Sequence, residues 1–72
     1  MKASDWISVE DRLPRTADYV LVCRERDGER WWSLAAYVRD KDMPNYWYDH
    51  QAFDIHDVTH WQPIVLPKKE KL

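Results

Sequence analysis

With 72 residues the chain has room for one domain, whose core supplies only about 3–5 kcal/mol before any staple is added. A single cysteine excludes an internal disulfide. Eleven Lys and Arg against thirteen Asp and Glu leave a formal charge of −2, which excludes the basic footprint of a general nucleic-acid binder and is too weak for an acidic mimic of DNA.

Compensation for small size comes from rings. Five Trp, four Tyr and one Phe can each bury about 150–250 Å², so the expected core is built on tryptophan. The start Met1-Lys2-Ala3-Ser4-Asp5 carries no apolar leader segment, and no stretch nears the ~18–20 apolar residues of a membrane span. The expectation is a cytoplasmic protein without membrane contact, in which Cys23 behaves as a small hydrophobe.

In chain order, Ser8 followed by Asp11 and Pro14 reads as a capped helical turn that positions Trp6 and Leu13. Asp27-Gly28, flanked by Tyr19 to Arg26 and Glu29 to Arg39, predicts a two-residue β-hairpin. Pairing Arg26 with Glu29 sets Glu25 opposite Arg30, Arg24 opposite Trp31, Cys23 opposite Trp32 and Leu21 opposite Leu34. In that register Tyr19, Leu21, Cys23, Trp32, Leu34, Ala36 and Val38 form an apolar face, expected to be the core. Val20, Val22, Arg24, Arg26, Trp31, Ser33, Ala35 and Tyr37 form a mixed face.

The polar segment Asp40 to Asn45 is a loop leading to a third strand at Tyr46-Trp47-Tyr48-Asp49. A second loop runs from His50 to Asp57, and Val58-Thr59-His60-Trp61-Gln62 is a fourth strand ended by Pro63. Residues 68–72 read as a tail. Short connections favour sequence neighbours as spatial neighbours. The expected fold is therefore mainly β, at most a small α+β: a four-stranded antiparallel meander in the order 1-2-3-4, in one domain over residues 1–72 with an ordered part from about 5 to 67.

Such a sheet needs a cover and the chain offers no amphipathic helix. The terminal segments are expected to serve, with Trp6, Ile7, Leu13, Trp61 and Ile64-Val65-Leu66 folding over Leu21, Trp32 and Leu34. Val58 and His60 complete the expected structural set. Trp61→Ala would then cost on the order of 3–5 kcal/mol.

Catalytic equipment is sparse. Ser4, Ser8, Ser33, Thr16, Thr59 and Cys23 include no residue on a Gly-rich elbow, and one glycine makes no phosphate-cradling loop. The carboxylates Asp40/Asp42 and Asp54/Asp57 lack a concavity that would separate their pKa values. His50, His56 and His60 among Asp49, Asp54 and Asp57 could hold a divalent metal, but their spacing is generic and the reading preferred is of loop polar groups plus one structural strand histidine. No enzyme, no metal and no cofactor are expected.

Aromatic and arginine side chains point instead to binding. Arg24, Arg26, Trp31 and Tyr37, with Tyr46 and Tyr48 as neighbours, combine the residue types that dominate protein interfaces. Alternatively these rings close a second small core or stack on Arg24 as cation–π pairs. They could also stack single-stranded bases while arginines track phosphate, although Glu25, Asp27 and Glu29 cancel charge at the same tip. Self-association through an edge strand, as a homodimer, is a further option.

Two phrases bracket the chain, Trp6-Ile7-Ser8-Val9-Glu10-Asp11-Arg12-Leu13-Pro14 and Val58-Thr59-His60-Trp61-Gln62-Pro63-Ile64-Val65-Leu66-Pro67. They resemble a small family of bacterial, phage and prophage proteins, domain of unknown function number 551, whose members open on W-I-S-V-x-x-x-L-P and close on V-T-H-W-x-P-L-P. The resemblance spans nearly the whole chain and carries over no catalytic or binding residue. It implies a phage accessory protein in a bacterial host cell, and with the binding surface above it leads to an expected non-catalytic interaction module that modulates a host protein, defence systems included.

Overall fold

Asp27 and Gly28 take positive φ of 55° and 83°, as a type I′ turn requires, and the twist of that turn matches the strands it joins. In the computed structural model, which describes residues 5–67, they connect β2 (Val20–Arg26) to β3 (Glu29–Val38). The pairing runs from Arg26↔Glu29 through Arg24↔Trp31 and Cys23↔Trp32 to Val20↔Ala35, which is the register expected from the turn. The other strands are β1 (Ile7–Ser8), β4 (Tyr46–Asp49), β5 (Asp54–Ile55) and β6 (Val58–Gln62). The expected tail at 68–72 lies outside the described residues.

All pairings are antiparallel and the protein is mainly β, in one open sheet of order β1-β6-β2-β3-β4-β5. The 1-2-3-4 meander is corrected at its last step. Val58–Gln62 does not lie beside Tyr46–Asp49 but crosses to the far side of β2, with Leu21↔Gln62 and Val22↔Trp61 in register. Two short strands were not anticipated. β1 borders β6 through Ile7↔Trp61, and β5 folds back on β4 through Trp47↔Ile55.

The crossing fixes the shape of the sheet. β5 and β6 sit four strand positions apart, about 19 Å in a flat sheet. Only His56 and Asp57 join them, and three Cα steps reach at most about 11 Å. The sheet therefore curls until its two sides approach, and the curl encloses one face without help from a helix.

The enclosed face is the one the alternation pattern ranked second. Val20, Val22, Ala35, Tyr37, Trp47, Ile55 and Trp61 form the buried cluster, and Ile7, Val9, Leu13 and Val58 pack against it. On the other face Trp32 is 68% exposed, while Leu21 and Leu34 are only half-buried. The physical reason is room. The inside of a curled sheet is crowded, and the central strands supply it with Val20, Val22, Ser33 and Ala35, leaving space for the rings of Tyr37 and Trp47, which meet edge-on at 5.1 Å.

Cover comes from the segment between β1 and β2. Leu13 packs on the cluster, Pro14 is buried, and the Trp61 indole N–H donates to the Arg12 carbonyl at 2.9 Å. Ser8 organises the turn that starts this segment: its hydroxyl accepts from the Glu10 N–H at 3.2 Å and its carbonyl from Asp11 and Arg12, as the capping pattern suggested. The expected C-terminal cover is corrected, since Val65 and Leu66 are 84% and 79% exposed.

A bulge settles the faces of β6. The pairing shifts between Cys23↔His60 and Arg24↔Val58, so Thr59 is the extra residue, and its hydroxyl donates to the Cys23 carbonyl at 3.3 Å. A bulge inserts one residue and re-aims what precedes it. Val58 thus joins Trp61 on the enclosed face, which strict alternation forbids, and His60 falls on the opposite face from Val58.

Candidate interaction surface

The six residues nominated for partner binding do not make one surface. Arg24, Arg26, Trp31 and Tyr37 belong to the enclosed face, whereas Tyr46 and Tyr48 pair with Val38 and Ala36 on the outer one. Tyr37 is buried at 9% exposure, with the Arg39 guanidinium 5.4 Å from its ring centroid.

Arg24 closes one end of the enclosed face. Its Nε and Nη2 donate to the two oxygens of Asp57 at 2.6 and 3.1 Å, with side chains only 15% and 9% exposed. Arg26 adds a second cation to the same carboxylate at 3.2 Å. The Arg24 hydrogen bond holds the Asp57 carboxyl below its ordinary 3.8 against the opposing effect of burial, and the charges of Arg24 and then Arg26 add to the lowering. Arg24 also lies 5.0 Å from the Trp31 ring centroid, a cation–π contact. These are the contacts of a structural clamp. Asp57 sits between β5 and β6, and its carbonyl accepts from the Glu25 N–H at 3.0 Å, so the clamp pins the short crossing to β2.

The histidines and aspartates are dispersed. His50 and His56 are exposed, and His60 is half-buried with Nδ1 2.9 Å from the Thr59 hydroxyl. Asp49 is buried and organises the β4–β5 turn, accepting at 2.9 Å from both the Gln51 and Phe53 N–H. Ala52 in that turn has a φ of 68°. Among the described residues no three His, Cys, Asp or Glu side chains are gathered as a metal site would need.

The outer face holds the larger accessible apolar surface. Tyr19 (44% exposed) and Trp32 (68%) flank half-buried Leu21 and Leu34, which stand opposite each other on β2 and β3. Tyr19 meets Tyr48 edge-on at 5.9 Å, and Tyr48 lies 6.2 Å from Tyr46. Partial burial and then the neighbouring Tyr48 raise the pKa of Tyr19. Trp6 lines a recess on this face with Cys23, Arg30 and His60. Arg30 is held by Glu25 through a 2.7 Å hydrogen bond, which raises the guanidinium pKa further. Sequence reasoning missed this surface because it assigned Trp32 to the core. The signal available was the adjacent pair Trp31-Trp32, which must place one ring on each side of the sheet.

No described helix is long and apolar enough to cross a membrane. Comparison with curated proteins and with solved structures returns no match. A family model described as protein of unknown function (DUF551) matches residues 5–68, a span that takes in every strand from β1 to β6, and the chain accordingly belongs to the DUF551 family.

Proposed function

We propose that this domain is a non-catalytic protein-interaction module that docks a partner on the outer face of its sheet, in the phage-accessory setting implied by the sequence resemblance a host protein whose activity it modulates. The observation that carries the reading is the accessible ring of Trp32 beside Leu21, Leu34, Tyr19 and Tyr48, since aromatic anchors on an apolar patch are the usual source of interface energy. A protein partner is favoured over single-stranded nucleic acid because the cations are already engaged. Arg24 and Arg26 sit on Asp57 at the enclosed face, and Arg30, on the outer face, sits on Glu25, so none of these arginines is offered beside the aromatic face to track phosphate.

The test is affinity capture from bacterial lysate with wild-type protein and a Tyr19→Ser/Trp32→Ser variant, with and without nuclease, followed by titration of the purified pair against salt. A stoichiometric protein that survives nuclease, is lost with the variant and binds with weak salt dependence supports the reading. Nuclease-sensitive capture, or affinity that falls steeply with ionic strength, refutes it in favour of nucleic acid.

A further inference from the structure

The segment that covers the enclosed face packs on it at Leu13 and Pro14 and then departs, since every residue from Arg15 to Tyr19 is exposed before β2 begins at Val20. Between this departing segment and the end of the sheet lies a cavity of about 370 Å³, within the range of about 300–1,000 Å³ typical of small-molecule sites. Its walls are apolar. Ile7 and Trp61, paired across β1 and β6, are joined there by Leu13, Val20 and the half-exposed Ile64. Arg12 and Arg15 line the same cavity, and both are exposed.

Charge at this cavity is unbalanced. Arg24, Arg26 and Arg30 pair with Asp57 and Glu25, whereas the guanidinium groups of Arg12 and Arg15 have no carboxylate partner among the described residues. The one carboxylate in the lining, Asp18, accepts from the Thr16 hydroxyl at 2.9 Å. Two cations thus face one anion that already has a donor. The main chain beneath Arg12 is fixed, because its N–H donates to the Ser8 carbonyl at 3.2 Å and its carbonyl accepts from the Trp61 indole. The first cation is therefore tied to the apolar wall it stands beside.

We propose that this cavity binds a small apolar monocarboxylate, with its charged end on Arg12 and Arg15 and its hydrocarbon body against Ile7, Trp61 and Ile64. A guanidinium fork matches the two oxygens of a carboxylate, and each methylene group withdrawn from water adds to the affinity. Other ligand classes use only half of the site. A bare inorganic anion leaves the apolar walls unfilled, an alkylammonium meets two like charges, and a neutral amide leaves both arginines unpaired. The cavity shares only Tyr19 with the docking face and needs no partner protein, so the proposal goes beyond the docking reading and its failure would leave that reading in place.

The test is a titration of the full chain at neutral pH with octanoate below its micelle concentration, followed by amide, indole and methyl NMR. Expected are saturable shifts of the Trp61 indole N–H and of the Ile7, Leu13 and Ile64 methyl groups, with a Kd of about 1 mM or tighter and no comparable shift at Trp32. Affinity rises from butyrate through hexanoate to octanoate, by up to about fourfold for each methylene group buried. Octanamide, the same body without the charge, binds about threefold or more weakly, and an Arg12→Gln/Arg15→Gln chain loses octanoate by the same factor while its affinity for octanamide is unchanged. Ile64→Asp, a second half-exposed site, places a carboxylate in the wall and abolishes octanoate binding; it decides the matter if the amide spectrum shows the arginine variant unfolded. No saturable shift, shifts centred on Trp32 and Tyr48, equal affinity for octanoate and octanamide, or folded variants that bind octanoate as the wild type does would overturn the proposal.

Discussion

Two tryptophans on opposite faces make the sharpest test of how the sheet is folded. Trp61 is 7% exposed, lies in the enclosed cluster and donates its indole N–H to the Arg12 carbonyl at 2.9 Å. Burying about 150–250 Å² at about 25 cal/mol per Å² gives roughly 4–6 kcal/mol as an upper figure, and large-to-small substitution of buried rings falls at about 3–5 kcal/mol. At about 0.05–0.15 kcal/mol per residue the whole domain is stable by roughly 4–11 kcal/mol. Trp61→Ala thus removes about a quarter or more of the stability, whereas Trp32→Ala, at a site 68% exposed, shifts it within about ±0.5 kcal/mol. Urea unfolding followed by far-ultraviolet circular dichroism compares the two without relying on tryptophan fluorescence. Trp61→Phe, which keeps most of the ring but not the N–H, falls between them. Equal losses for Trp32→Ala and Trp61→Ala would refute the assignment of faces and restore the opposite one.

The Arg24–Asp57 clamp predicts that Asp57→Ala costs about 2–3 kcal/mol, read as a lower urea midpoint, because it strands a largely buried guanidinium. The Asp57 carboxyl is held below its ordinary 3.8, so the clamp's contribution is present above that value and is lost as the pH falls through the lowered folded-state value; wild type should converge on Asp57→Asn in acid, and a constant gap between them would count against the clamp. Asp49→Ala leaves the Gln51 and Phe53 N–H groups without their acceptor and should cost about 2 kcal/mol, with faster amide exchange at both positions. Gly28→Ala meets no atom within 4 Å, so its expected loss of about 1 kcal/mol in the urea series comes from backbone strain at a φ of 83° alone.

How much was legible depends on the range of the interactions involved. The hairpin was readable because Asp27-Gly28 sets a turn type and the turn sets register through local geometry. The Ser8 turn was readable for the same reason. The strand at Val58–Gln62 was visible as a strand, but its neighbour was not, since nothing in His56-Asp57 states that so short a link crosses the sheet. Arg24 made its face look polar because the partner that neutralises it, Asp57, lies 33 positions away. The nominated binding residues inherited that error, and Trp32 inherited its converse.

The sequence by itself determined a β-rich chain, its central hairpin with register, and its family, all of which follow from adjacent residues or from the two terminal phrases. Only the tertiary structure decided which face is inside, because that choice rests on the curl imposed by the two-residue crossing from β5 to β6, on the bulge at Thr59 that turns Val58 inward, and on the Arg24–Asp57 pair that closes the end. Each joins residues distant in sequence, and it is their joint closure that puts Trp61 in the core and leaves Trp32 in water.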